Sequence, residues 1–142
     1  MSQVGRYFKA SEFECPCCHK TAPNKTLVSI LDTARKQLGP LRINSSYRCI
    51  SHNAEVGGAS NSMHLPQSDG QVLAADVTYS DVSKRHGEHI LKLYVTLEGI
   101  ARRFEGLSYG LGLYGSFVHI DTRSEATPPK PMARWDKYPW VR

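Results

Sequence analysis

No stretch of this 142-residue chain approaches the ~20 consecutive apolar residues that span a bilayer, so membrane insertion is not expected. The opening Met1-Ser2-Gln3-Val4-Gly5-Arg6 is polar and lacks the apolar run of a secretory signal, from which synthesis and folding in a cytoplasm are expected. Cysteine is scarce, and three of the four crowd into Glu14-Cys15-Pro16-Cys17-Cys18-His19. That is no evenly spaced disulfide framework, and reduced thiols are expected. The formal charge is +5, yet the basic residues form no block, and no helix-turn-helix, zinc-finger array or aromatic RNA-binding signature accompanies them. A nucleic-acid role is therefore not expected. The excess charge suits an anionic surface such as a teichoic-acid-bearing wall equally well. Internal repeats and linkers are also missing, so one α+β domain over residues 1–142 is the economical reading. At 40% apolar residues it can build a core without disulfides or metals, and any metal is expected to serve chemistry.

What is present divides into segments. Leu27, Ile30, Leu31, Ala34 and Leu38 recur at helical spacing, predicting a helix over 25–38 that Gly39-Pro40 stops. Leu41-Arg42-Ile43-Asn44 alternates as a short strand does. From Ser45 to Gly70 the chain is rich in Ser, Asn, Gly and His, a long irregular loop of the kind that carries function. Val72 to Val77 reads as a buried strand, and Ser83 to Phe104 as one or two helices with Ile90, Leu91, Tyr94, Leu97 and Ile100 on an apolar face. Gly106–Tyr114 and Ser116–Thr122 read as two strands in a tight connection. The tail from Ser124, with four prolines, is expected to wrap the surface in extended form.

Two places interrupt apolar patterns with groups that bind cations. In Phe117-Val118-His119-Ile120-Asp121, His119 and Asp121 share one strand face, because side chains alternate with period two. Asp76 breaks the apolar run between Ala75 and Val77, and a buried carboxylate needs a cation. With His64 of Ser62-Met63-His64, the chain offers two imidazoles and one hard oxygen, a donor set for a catalytic zinc with its fourth position open to water. Spacing alone leaves another reading open, in which each histidine hydrogen-bonds in a polar loop and Asp76 meets an arginine.

These residues sit in a longer pattern. Asn44-Ser45-Ser46-Tyr47-Arg48, Asn53 through Val56-Gly57-Gly58-Ala59, Ser62-Met63-His64, Ala74-Ala75-Asp76 and Tyr114 through Phe117-Val118-His119-Ile120-Asp121 follow one another in order. Together they resemble the zinc D-alanyl-D-alanine carboxypeptidases and phage L-alanyl-D-glutamate endolysins, whose fold is shared with the amino-terminal domain of hedgehog proteins. Phe8 to Phe13 and Ala133-Arg134-Trp135 agree more loosely. The resemblance implies a small, mostly antiparallel sheet packed against helices, and one catalytic zinc held by His64, Asp76 and His119. It implies hydrolysis of a peptide bond in peptidoglycan stem or cross-link peptides, with endolysin-type endopeptidase as the leading expectation. A D-Ala-D-Ala carboxypeptidase and a non-enzymatic hedgehog-like module are the alternatives. The expected partners are peptidoglycan peptides, met by a monomer after holin-type release or on a virion. The stretch from Leu65 to Leu73 is longer than the family's spacer and reads as a surface insertion around Pro66-Gln67-Ser68-Asp69-Gly70, with Asp69 the competing ligand.

By the same resemblance Arg48 is the substrate arginine, suited by its planar fork to a carbonyl oxygen or carboxylate. Tyr47 and Ser62 are expected at the substrate. Asp121 is read either as general base or as the group that orients a ligand histidine. Relatives often carry Glu or His just ahead of the last ligand, where this chain has Ser116 and Phe117. Cys15, Cys17, Cys18 and His19 invite a structural zinc, but their crowding would need help from Cys49 or His52. Trp135 and Trp140 are expected to pin the tail.

Overall fold

The computed structural model describes residues 2–140. Helix α1 spans Lys25–Leu38, strand β1 Leu41–Ser45, helix α2 Ile50–Glu55, β2 Ala74–Tyr79, helix α3 Gly87–Ala101, β3 Gly110–Leu113, β4 Val118–Asp121 and β5 Ala133–Asp136. Short 3-10 turns cover Ala10–Phe13, Val82–Lys84 and Arg123–Glu125. The sheet order is β1-β2-β4-β3-β5, antiparallel except for the parallel β3/β5 edge. This is the α+β arrangement expected.

α1 starts where the Asn24 side chain accepts from the Leu27 amide, and it ends at Gly39, whose φ of 86° suits a residue without a Cβ. Its buried face, Leu27, Val28, Ile30, Leu31 and Ala34, meets Ile90, Leu93, Leu97 and Ile100 of α3 in one core. The sheet contributes Leu41, Ile43, Ala75, Val77, Tyr79, Leu111, Leu113, Val118 and Ile120 to that core. Alternation then turns Ala74, Asp76, Thr78, His119 and Asp121 to the opposite face.

Three expectations change. The strand expected from Val72 begins at Ala74, because Val72 instead bridges Pro23. The loop from Ser45 contains α2, a six-residue helix that buries only Asn53. The proline-rich tail does more than wrap the surface, since Ala133–Asp136 adds the edge strand β5 beside β3. Among the described residues no helix is long and apolar enough to cross a membrane.

Candidate active site

β2 and β4 are adjacent, and their register makes Asp76 and His119 direct partners. The apolar residues on either side of each face the helices, so the carboxylate and imidazole stand together on the other face. His64 reaches them from the loop ahead of β2, in a turn where its amide donates to Ser62 Oγ (3.2 Å) and its carbonyl accepts from the Arg48 amide (3.0 Å). Asp76 Oδ1 lies 3.1 Å from His64 Nε2 and 3.0 Å from His119 Nδ1. The three side chains offer ligand atoms all within 4.8 Å of one another, and the residues are 3%, 8% and 7% exposed for His64, Asp76 and His119.

The remaining ring nitrogens are committed elsewhere. His64 Nδ1–H donates to the Ser46 carbonyl (2.9 Å), which leaves the Nε2 lone pair facing Asp76. His119 Nε2–H donates to Asp121 Oδ2 (2.7 Å), which leaves Nδ1 facing Asp76 Oδ1. Asp121 is fully buried and its other contacts are taken as well. Arg123 grips it with Nε (2.9 Å) and Nη2 (2.8 Å), and the amides of Gly110 (3.0 Å) and Arg123 (3.1 Å) donate to Oδ1. A Cβ at Gly110 would collide with this carboxylate and guanidinium, so glycine is required for the close approach.

Electrostatics favour a cation at this point. Burial works against ionisation of Asp76, but hydrogen bonding from His119 and His64 overrides it and holds the carboxyl well below the usual range. Burial likewise disfavours a charged His119, yet Asp121 and Asp76 on its two sides push it up to about 9. Positive charge between His119 and Asp76 is thus favoured, and a metal ion would supply it. Tetrahedral zinc with bonds of ~2.0–2.1 Å has ligand–ligand edges of ~3.3 Å, close to the separations seen. The donor set, the fixed tautomers and the buried setting fit that ion, and the Asp121 contact matches the carboxylate–histidine–metal pattern.

The cluster opens on a cavity of about 700 Å³ lined by, among others, Arg48, Ser62, Tyr114, Phe117, Arg123, Lys130 and Trp135. Arg48 stands at its edge, 3.5 Å from Asp76 Oδ2. Ser45 Oγ (3.3 Å) and Asn53 Oδ1 (3.4 Å) hold its guanidinium. Tyr114 and Phe117 stack at 4.4 Å, and Trp135 Nε1 donates to Tyr114 Oη (2.9 Å) while its ring lies 5.1 Å from that of His119.

The structure therefore gathers His64, Asp76, His119, Arg48 and Ser62, with Asp121 directly behind His119. It does not bring Tyr47 to the cavity, because that ring packs against Cys15 and Val72. Asp69 is spent on its own turn, accepting from the Gln71 amide and side chain. Arg123 and Trp135 were missed as site residues. Arg123 continues the period-two series His119, Asp121, and its position was the available signal; Trp135 needed the pairing of β5 with β3.

His64, Asp76 and His119 thus form a group that could hold a metal ion. Residues 6–121 match the Peptidase M15 family, and the chain belongs to that family, whose members are zinc peptidases acting on peptidoglycan peptides. No curated protein matches the chain.

Proposed function

We propose that the protein is a monomeric zinc peptidase that hydrolyses a peptide bond within peptidoglycan stem or cross-link peptides, as an endopeptidase of the endolysin type. The observation that carries this reading is the convergence of His64 Nε2, the Asp76 carboxylate and His119 Nδ1 beneath a cationic, aromatic-walled cavity. A zinc ion held by those three groups supplies Lewis acidity toward a carbonyl oxygen and a water acidified to a pKa of about 7. Arg48 holds the carbonyl oxygen of the scissile bond, or a nearby carboxylate, by its fixed charge. Lys130, on the cavity wall, adds positive charge suited to the free carboxylates of wall peptides. Asp121, with its lone pairs occupied by His119, Arg123 and Gly110, keeps His119 in the tautomer that presents Nδ1. Ser62 shapes the turn that presents His64. The cavity volume lies in the upper part of the ~300–1,000 Å³ usual for ligand pockets, which favours a peptide segment over a single terminal residue. Holin-type release or carriage on a virion would bring the protein to the wall.

One observation favours a second reading, a zinc-containing binding module. Among the described residues Asp76 is the only carboxylate lining the cavity, and no separate acid among them stands ready as general base. Incubation with purified peptidoglycans of different chemotypes, and with a stem peptide ending in D-Ala-D-Ala, separates the readings by new amino termini and fragment masses. Internal cleavage supports the endopeptidase. Release of D-Ala alone makes it a carboxypeptidase, and zinc-loaded protein that sediments with the wall without cutting it is a binding module.

A further inference from the structure

Three of the four cysteines meet at one point, away from the cavity, with Cys17 beside them. Cys15 is buried, Cys18 and Cys49 are half-buried, and Cys17 is exposed; all four are free thiols. The sulfurs of Cys15, Cys18 and Cys49 all lie within 4.8 Å of one another. Four thiolates around tetrahedral zinc, with bonds of ~2.3 Å, stand ~3.8 Å apart, so the spacing needs little adjustment.

The backbone is arranged for this. The Cys15 amide donates to the Lys20 carbonyl (2.9 Å) and the His19 amide to the Cys15 carbonyl (2.9 Å). His19 takes a left-handed φ of 63° to close that turn. The reversal sets Cys15 and Cys18, separated by two residues, side by side, at a spacing usual for half of a structural zinc site. Although burial opposes ionisation of Cys15, the surrounding backbone of Cys18, Cys49 and Cys17 outweighs it and lowers the thiol pKa to about 7, which favours the thiolate that binds metal. Cys49 comes from 31 residues further on than Cys18 by sequence number, and it caps α2 through its sulfur, which accepts from the His52 amide (3.4 Å). The Cys17 thiol lies beside that of Cys49, outside the three-sulfur group. His19 turns away to Glu14 (3.1 Å) and is not a ligand.

We propose that Cys15, Cys18 and Cys49 bind a second, structural zinc ion, with Cys17 the thiol that closes the tetrahedron. Such an ion would serve the fold, beside the one expected to serve chemistry. Its neighbours are Tyr47, Val72 and Ala22, in segments with little regular secondary structure, where a metal crosslink supplies order that local hydrogen bonding does not. Cys49 directly follows Arg48, and the Tyr47 amide donates to the Phe13 carbonyl (3.2 Å). The ion therefore ties the 15–20 turn to the segment that delivers Arg48 to the cavity.

The test is metal content of the full chain, purified under reducing conditions, for wild type, His64→Ala and the double variant Cys15→Ser/Cys18→Ser. Wild type is expected to hold about two zinc ions, and each variant about one. Cobalt loaded into His64→Ala, which keeps all four thiols, is expected to show sulfur-to-cobalt charge-transfer absorption, and this arm decides the question even if the double variant fails to fold. Cobalt binding without that absorption, no metal in His64→Ala, or recovery of the cysteines as disulfides overturns the inference. A wild type with a single, thiolate-bound metal would uphold this site while removing support for the His64–Asp76–His119 centre, so the two failures remain distinct.

Discussion

Replacing Asp121 with asparagine separates the two roles open to that carboxylate. Asparagine keeps the shape but offers one oxygen and an NH₂ where Asp121 now accepts from His119 Nε2, from two nitrogens of Arg123 and from two backbone amides. If the amide oxygen faces Arg123, the NH₂ faces His119 and forces its proton to Nδ1, the atom facing Asp76. If it faces His119, the NH₂ meets the Arg123 guanidinium. Loss of such an orienting contact typically lowers metal affinity 10–100-fold, or ~1.4–2.7 kcal/mol. Leaving Arg123 with its charge unanswered in a largely buried place adds a folding cost of up to ~3 kcal/mol. Zinc affinity by competition with a chromophoric chelator, and unfolding of the metal-free protein in urea, measure the two effects. Should Asp121→Asn bind zinc as tightly as wild type and unfold at the same urea concentration while losing activity ~10²–10⁴-fold, Asp121 is the general base and the orienting role is refuted.

Other substitutions probe the remaining contacts. Gly110→Ala places a methyl against Asp121 and Arg123 and is expected to destabilise by ~1–3 kcal/mol in denaturant unfolding; an unchanged midpoint would count against the tight approach. Arg48→Ala is expected to lower turnover ~10²–10³-fold with zinc content unchanged, and full activity would remove Arg48 from the reaction. Glu98 is held below its usual range because, against the opposing effect of burial, Arg134 and Tyr109 hydrogen-bond it. Its folded-state pKa is depressed, so its contribution is present above the unfolded value of ~4.3 and is lost as pH falls through the folded one. Glu98→Gln should therefore be less stable than wild type near pH 7 and converge with it in acid, whereas a gap independent of pH would contradict the ion pair.

Local pattern made part of this architecture legible. α1 announced itself because Leu27, Ile30, Leu31 and Ala34 repeat at helical spacing before Gly39, and His119 and Asp121 could be placed on one face by strand alternation alone. Where position depends on distant partners, local pattern was not enough, and the pairing of Asp76 with His119 was legible only through the family resemblance. Asp76 and His119 meet through the β2/β4 register across 43 residues. β5 is a four-residue edge strand with half-exposed side chains among prolines, and only pairing with β3 makes it a strand. α2 is too short and too polar to show a period. The approach of Cys49 to Cys15 and Cys18 is likewise a contact between loops, which composition signals only as crowding.

Anomalous scattering at the zinc edge from crystals of the zinc-loaded protein tests the central claim most directly. The account predicts a peak ~2.0–2.2 Å from His64 Nε2, a carboxylate oxygen of Asp76 and His119 Nδ1, with His119 Nε2 still on Asp121. Zinc absent from that position in protein that cleaves peptidoglycan, or bound through His119 Nε2 instead, would contradict it.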